Sequence, residues 1–298
     1  HPDEVLRDAD TAMYRAKAAG KSGYVVFDDA MHERVKENLK LETELRHALQ
    51  RGEFRVFYQP VMELANGRLK GFEALVRWDH PTRGLVAPAD FLSVAEETGL
   101  IIPMGWWVME TACTQLTNWR KRFKHLPDDF SMSVNIANRQ FAHWVLPQRV
   151  ARVLDLTGVA PKNLCLEITE TVFMDNPELA AETITRLKTI GVNLQMDDFG
   201  TGYSSLSALR TFKLDTLKID RSFITGIERN RRERAIVRTI TVLAADLGMD
   251  VVAEGIENIR QLELLRALGC RKGQGYYFSK PLSTNDAERY LMALAPPK

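Results

Sequence analysis

The chain has 298 residues, 45% of them hydrophobic and 27% charged, which excludes a disordered polypeptide and suffices for one large α/β barrel or two ordinary domains. Forty basic residues stand against 39 acidic ones, a formal net charge of +1, so no global field is available to hold duplex nucleic acid or an anionic membrane, and any phosphate recognition must be local. Cys113, Cys165 and Cys270 have the spacing of neither a disulfide framework nor a zinc cluster and read as small buried hydrophobes in a reducing, cytoplasmic setting.

The chain opens on His1 rather than Met and shows no basic, apolar, small-residue leader, so it reads as a piece of a longer protein whose membrane anchoring, if any, lies elsewhere. From Leu6 to Ala16 the apolar residues Leu6, Ala9, Ala12, Met13 and Ala16 recur at helical spacing, Gly20 is placed to cap that helix, and Tyr24 to Phe27 reads as a short strand. One helix and one strand cannot enclose a core, so residues 1–28 read as the tail of an upstream domain. Met31 to Arg51 is rich in Glu, Lys, Arg and Leu without Pro or Gly, the pattern of a helical connector, with residues 29–44 as the linker proper. It is either a solvated linker or a helix that transmits upstream state.

Beyond Gly52, short β-rich runs alternate with longer amphipathic stretches. The runs are Phe54 to Tyr58, Gly71 to Val76, Ser131 to Ile136, Leu164 to Thr169, Val192 to Met196, Thr216 to Ile219, Val251 to Ala253 and Gly275 to Phe278. Helical candidates between them are Pro88 to Thr98, Gly105 to Arg122, Pro177 to Ile190, Arg232 to Leu247 and Asn258 to Leu268. The apolar run from Leu100 to Met109 is broken by Pro103 and Gly105 and falls short of the roughly 20 residues that cross a bilayer, so this chain is not expected to touch a membrane. This alternation predicts an α/β fold, a modified TIM (β/α)8 barrel. The first two strands are separated by a short stretch containing Ala65-Asn66-Gly67, which makes a turn and leaves no room for a crossover helix; the first strand should therefore be antiparallel.

Charged and polar residues gather at the ends of these strands, the face on which barrel loops build active sites. Glu73 lies in the second strand, Asn135 ends the third, Glu167 lies in the fourth, and Asp197 with Asp198 ends the fifth. Lys218 and Asp220 flank the end of the sixth, Glu254 follows the seventh and Gln274 opens the eighth. Taken singly, a strand-end Glu or Asp is more often a helix cap or a surface residue. Five carboxylates converging on one mouth would repel one another unless a cation or protons intervened. The donors are all oxygen, without His or Cys, which favours Mg²⁺ or Mn²⁺ over Zn²⁺ or Cu²⁺. In an adjacent Asp pair one carboxylate can bridge two ions while its neighbour holds the second, and two ions about 3.5–4 Å apart are suited to in-line phosphoryl displacement.

Tyr58-Gln59-Pro60, Glu73-Ala74-Leu75-Val76-Arg77-Trp78, Ser133-Val134-Asn135-Ile136, Glu167-Ile168-Thr169-Glu170, Asp197-Asp198-Phe199-Gly200-Thr201-Gly202, Leu217-Lys218-Ile219-Asp220, Ala253-Glu254-Gly255-Ile256-Glu257 and Gln274-Gly275-Tyr276 follow in order. From residue 45 to residue 298 the chain resembles the EAL-domain family of cyclic di-GMP phosphodiesterases, whose barrel has an antiparallel first strand. The resemblance implies two Mg²⁺ or Mn²⁺ ions, one held by Glu73, Asn135, Glu167 and Asp197, the other by Asp197, Asp198 and Glu254. It implies that Glu73, Lys218 and Gln274 are catalytic, with Lys218 positioning or helping to deprotonate the attacking water and Gln274 orienting water or substrate. Gln59, Leu75, Arg77 and Asp198 are implied substrate contacts; a guanidinium fork suits phosphate, although an Arg after a strand is also an ordinary surface residue.

The loop from Phe199 to Leu206 is associated in that family with dimerisation and with the working shape of the metal site, and Glu170 matches the residue that stabilises it. A homodimer through the barrel is thus implied. Two departures, Phe212-Lys213 where Leu-Pro is common and Arg271 where an acid is usual, touch no implied ligand. Trp106, Trp107 and Trp119, at helical spacing, read as packing rather than as guanine platforms. Upstream, Ala9-Asp10-Thr11-Ala12-Met13-Tyr14-Arg15-Ala16-Lys17 with Gly20-Lys21 resembles the end of a GGDEF diguanylate cyclase domain, which implies GGDEF or sensory domains in the parent. The implied activity is hydrolysis of cyclic di-GMP to linear pGpG in bacterial second-messenger signalling. The alternative is a cyclic di-GMP receptor that signals through the connector helix. A two-carboxylate glycosidase leaves Lys218, Asn135 and the Asp pair without a role.

Overall fold

The computed structural model describes Met13, residues 29–200, Leu209 and residues 211–294. The upstream-domain tail expected in residues 1–28, Met13 apart, and loop residues 201–208 lie outside the described residues. The chain divides into two compact units, His1–Phe54 with Trp78–Leu100 and Arg55–Arg77 with Ile101–Lys298.

In the first unit the expected connector is a helix, Asp29–Arg51, which buries Leu45 and Ala48. Trp78 is fully buried, with ring centroids 6.0 Å from Phe54 and 5.8 Å from Phe91, and its indole N–H donates to Glu53 at 3.0 Å. The helix expected from Pro88 to Thr98 divides into a 3-10 turn, Pro88–Asp90, and a helix, Leu92–Thr98, which Gly99 ends at φ 77°. Phe91 ends the turn and begins the helix; a core aromatic at that junction fixes the bend.

Among the described residues nine strands follow in order: β1 (Phe54–Glu63), β2 (Leu69–His80), β3 (Gly84–Val86), β4 (Ser131–Ile136), β5 (Leu164–Thr169), β6 (Asn193–Phe199), β7 (Thr216–Ile219), β8 (Asp250–Ala253) and β9 (Lys272–Gly273). Eight close a ring in the order β1-β9-β8-β7-β6-β5-β4-β2, completed by a β1–β2 pairing, and β3 is an extra strand on β2. β1 is antiparallel to β9, whereas β2 and β4–β9 run parallel to one another around the ring. The fold is a modified (β/α)8 barrel. The expected turn makes the reversal: Gly67 takes φ 70°, its N–H donates to the Glu63 carbonyl at 2.9 Å, and the Asn66 side chain accepts from the Arg68 N–H at 2.9 Å.

Strand periodicity sorts the side chains. In β5, Leu164, Leu166 and Ile168 are fully buried against the helices, while Cys165 and Glu167 line the barrel interior. Leu194 and Met196 of β6 and Leu217 and Ile219 of β7 repeat the outward apolar set. The outer layer includes the helices Ile101–Arg122, Leu146–Thr157, Pro177–Ile190, Arg231–Asp246 and Ile259–Ala267. Trp119 is fully buried and Trp106 and Trp107 pack against the same core, as packing residues should. The three cysteines are free and buried.

The last strand differs from expectation. It is Lys272–Gly273, and residues 275–278 turn instead of extending. A Cβ at Gly275 would sit 2.2 Å from the backbone of Ile256, and the Ile256 carbonyl accepts from the Tyr277 N–H at 2.9 Å. Backbone pressing on backbone ends the strand where the aromatic composition suggested that it began. Gln274 therefore follows the eighth strand of the ring rather than opening it. β3 was not anticipated, and β6 runs on to Phe199, so that Asp197 and Asp198 lie within the strand.

Candidate active site

The second unit brings together at one end of its barrel the residues singled out in separate strands. Glu73, Ser133, Asn135 and Glu167 fall in register across β2, β4 and β5, with Thr169 opposite Asp197 on β6. Lys218, on β7, is the centre. Its Nζ lies 2.5 Å from Glu167, 2.7 Å from Glu254, 3.1 Å from Asp197 and 3.5 Å from Glu73. Asn135 donates to Glu73 Oε1 at 2.8 Å, and Gln274 Nε2 donates to Glu73 Oε2 at 2.5 Å and to Glu254 at 3.0 Å.

Neighbouring residues of a regular strand point to opposite faces, so two adjacent aspartates cannot both serve one site without a break in the pleat. β6 supplies it. Its register with β7 shifts between Met196 and Phe199, and Asp198 is the one non-glycine residue with positive φ, 54°, among the described residues. Such a conformation costs about 1–3 kcal/mol and marks functional sites. In consequence Asp197, Asp198 and Glu254 offer carboxylate oxygens that all lie within 4.8 Å of one another.

One ammonium faces four carboxylates, and burial removes the solvent that would screen them. Burial, reinforced by Glu73 and Asp197 and opposed by Lys218, pushes the Glu167 carboxyl well above the ordinary range. Burial also raises Glu254 to about 7, with Lys218 pulling the other way. Asp198 is raised by burial and by Asp197. Burial pushes Glu73 up too, yet Lys218 and the hydrogen bonds from Gln274 and Asn135 outweigh it and leave this carboxyl below its usual value. Burial would lower Lys218; the surrounding carboxylates hold it well above its usual value. Sequence reasoning left neutralisation to metal ions. In the structure Lys218 takes one share, and burial shifts Glu167 and Glu254 toward their neutral forms.

The donor set suits hard divalent cations: carboxylates and one amide, with no imidazole or thiol at the mouth among the described residues. Arg77 shares with Glu73 and Leu75 the odd-numbered face of β2. Its guanidinium donates to the Val76 carbonyl at 2.8 Å and lies over the Phe57 ring at 5.8 Å. Burial lowers it, against the pull of Tyr276 and Glu73. Gln59 and Leu75 are half-buried and take no part in the ion pairs around Lys218. Glu170 is buried just after β5; the loop that it was expected to stabilise lies mainly outside the described residues. Sequence reasoning missed the row beneath the cluster, Ser133, Cys165, Gln195 and Thr216. The signal was there: every second residue of β4, β5 and β7, and of β6 as far as Asp197, is polar or Cys.

A family model for the EAL domain matches residues 42–281. The chain belongs to the EAL domain family. It is 39% identical over 98% of its length to the bifunctional diguanylate cyclase/cyclic di-GMP phosphodiesterase MucR of Pseudomonas aeruginosa, and 38% identical over 96% to the cyclic di-GMP phosphodiesterase PdeR of Escherichia coli. It spans 42% of the length of each of these two relatives. Among solved structures it is similar to the PaMucR phosphodiesterase in complex with c-di-GMP, with a TM-score of 0.79 and 39% identity over 84% of this chain and 99% of that one. The EAL enzyme Bd1971 in its cAMP- and cyclic-di-GMP-bound form gives a TM-score of 0.85 and 33% identity over 98% of this chain and 75% of that one. The EAL match begins inside the Asp29–Arg51 helix. Among the described residues no helix is long and apolar enough to cross a membrane.

Proposed function

We propose that this EAL domain hydrolyses cyclic di-GMP to linear pGpG with the help of divalent cations. The observation that carries the reading is the convergence of Glu73, Glu167, Asp197 and Glu254 on the single ammonium of Lys218, with Asp197, Asp198 and Glu254 close enough to share a cation. Glu73, Asn135, Glu167 and Asp197 would hold one Mg²⁺ or Mn²⁺, and Asp197, Asp198 and Glu254 the other. When bound, such ions activate water and neutralise charge on phosphoryl oxygens.

The chain's own residues do the remaining work. Gln274 bridges Glu73 and Glu254 and so holds both carboxylates at a fixed separation. Asn135 fixes the other Glu73 oxygen. Lys218, tied to both sides of the cluster, keeps its proton and orients a water that approaches the mouth. The β6 bulge turns Asp198 toward Asp197 and Glu254. Arg77, at the outer end of β2 with its charge drawn toward Glu73 and Tyr276, would receive a phosphate, with Leu75 and Gln59 contacting the nucleotide. The named activities of MucR and PdeR support the substrate.

The decisive experiment incubates purified protein with cyclic di-GMP and Mg²⁺ or Mn²⁺ and follows the products by chromatography. Formation of pGpG that stops on chelation is expected. Nucleotide that binds and stays intact would instead support a receptor acting through the Asp29–Arg51 helix. Residues 1–28 read as the end of a cyclase domain, a reading that the alignment with the bifunctional MucR over 98% of this chain supports. A homodimer through the barrel and a cytoplasmic setting complete the proposal.

A further inference from the structure

The interior of this barrel is not packed. Such barrels are ordinarily filled by layers of branched apolar side chains, but here Ser131, Ser133, Cys165, Gln195 and Thr216 line a cavity of about 520 Å³. Its ceiling is Glu167, Lys218 and Gln274, the underside of the carboxylate cluster. Its other end lies among Lys70, Asp129, Asp215, Asp250 and Lys272, residues at the starts of the parallel strands and so on the far side of the barrel from the candidate site.

Two observations say what fills it. Gln274 is 4% exposed and commits its Nε2 to Glu73 and Glu254, while its Oε1 meets no hydrogen-bond donor among the described residues. A buried amide oxygen left bare costs about 1–3 kcal/mol, and water in a cavity of mixed polar and apolar lining would remove that cost. The rim, in turn, carries charge of both signs, much of it already paired, and so gathers no strong single-sign field for an ionic ligand: Lys70 pairs with Asp129, Lys188 with Asp215, and both Lys272 and Arg271 with Asp250, while Lys162 and Asp128 add one charge of each sign. We propose that the cavity is a solvent channel through which water reaches the catalytic cluster from the end of the barrel opposite the substrate.

The consequence for catalysis rests on the hydrolytic reading above; the channel itself does not. Each hydrolysis consumes one water, whose hydroxyl oxygen bonds to phosphorus as the P–O3′ bond breaks and whose other hydrogen ends on the departing 3′ oxygen. A dinucleotide seated on the mouth obstructs the direct path for the next water. The polar column behind Lys218 leaves a second path open.

Cys165 is a built-in reporter, because it lines the cavity whereas Cys113, also buried, lies on the Ile101–Arg122 helix and does not. Purified protein is treated with methyl methanethiosulfonate, a small neutral thiol reagent, and the modified peptides are followed by mass spectrometry. Cys165 is expected to react at least tenfold faster than Cys113. Thr216→Leu, which narrows the channel and replaces a polar wall group by an apolar one, should slow Cys165 modification tenfold or more and lower kcat by a similar factor, with KM unchanged. Should that variant not fold, Ser131→Leu narrows the same wall nearer the rim and carries the same expectation. Equal reactivity of Cys165 and Cys113 overturns the channel, and so does a filled variant that blocks labelling yet keeps full kcat. If the wild-type chain does not cleave cyclic di-GMP, the hydrolytic reading fails while the labelling comparison still decides the channel.

Discussion

Both ends of the barrel are crowded with charge, but only one is balanced. At the starts of the parallel strands Lys188 pairs with Asp215 at 2.7 Å, Lys272 pairs with Asp250 at 2.8 Å, and Lys70 pairs with Asp129. These side chains are partly exposed, and their pairing satisfies them. At the other end four carboxylates share the one ammonium of Lys218, which is 2% exposed. Charge parity at a half-wet rim is worth little and asks for nothing further. A buried excess of carboxylate is costly in itself, and its cost falls when protons or cations arrive. The imbalance therefore separates a structural end from a chemical one.

The largest effect expected is from Glu73→Ala. Hydrolysis should fall at least a thousandfold, about 4 kcal/mol of barrier, while the circular-dichroism spectrum is retained; near wild-type turnover in Mg²⁺ would erase the distinction between the two ends. Lys218→Met removes the cation that, among the described residues, all four buried carboxylates share, and should cost the metal-free protein about 3 kcal/mol or more in urea unfolding. Added Mn²⁺ should restore part of that loss, and an unchanged midpoint would mean that the carboxylates are not charged in the folded state.

Protonation sharpens the contrast further. The Glu254 carboxyl rises from 4.5 to about 7 on folding, so the folded chain holds a proton there that the unfolded chain releases. Its contribution is complete below about pH 4.5 and is lost as pH rises through 7, a change on the order of 3 kcal/mol. Stability of the chelator-treated protein should accordingly fall between pH 4.5 and 7, and Mn²⁺ affinity by calorimetry should rise over the same interval. A flat profile in both measurements would contradict the buried surplus.

Smaller effects come from the periphery. Glu170→Ala should lower metal affinity and turnover about tenfold, roughly 1.4 kcal/mol, without unfolding the barrel, and normal kinetics would remove the loop-stabilising role that the family resemblance implies for it. At the balanced end, Asp250→Asn breaks two partly exposed pairs, with Lys272 and with Arg271. It should change stability by about 1 kcal/mol or less and leave metal affinity unaltered; a large change in either would show that this rim too is more than structural.

Much of the active end could be read from the chain because each implied ligand stands in or beside a run with strong strand periodicity. Leu164–Thr169 and Thr216–Ile219 alternate apolar with polar or Cys at every step, so the strands and the faces bearing Glu167 and Lys218 followed together. Gly275–Phe278 misled because local β propensity carries no information about the Ile256 backbone that packs where a Cβ would be. β3 is three residues long and too short for a periodic signal. The floor row was visible as alternation, yet polar positions in a strand ordinarily mean solvent rather than an interior cavity.

The linear order of residues by itself determined the alternation of strands and helices, the antiparallel start through the Asn66-Gly67 turn, the identity of the acidic residues and the family. Those are properties of spacing and side-chain type, and they survive without knowledge of any partner. Tertiary structure alone decided that Lys218 sits at the centre of four carboxylates, that Asp198 leaves the regular pleat to join Asp197, and that the barrel interior stays open beneath Gln274. Each depends on distances between strands remote in sequence, and electrostatic energy in a buried site is set by those distances.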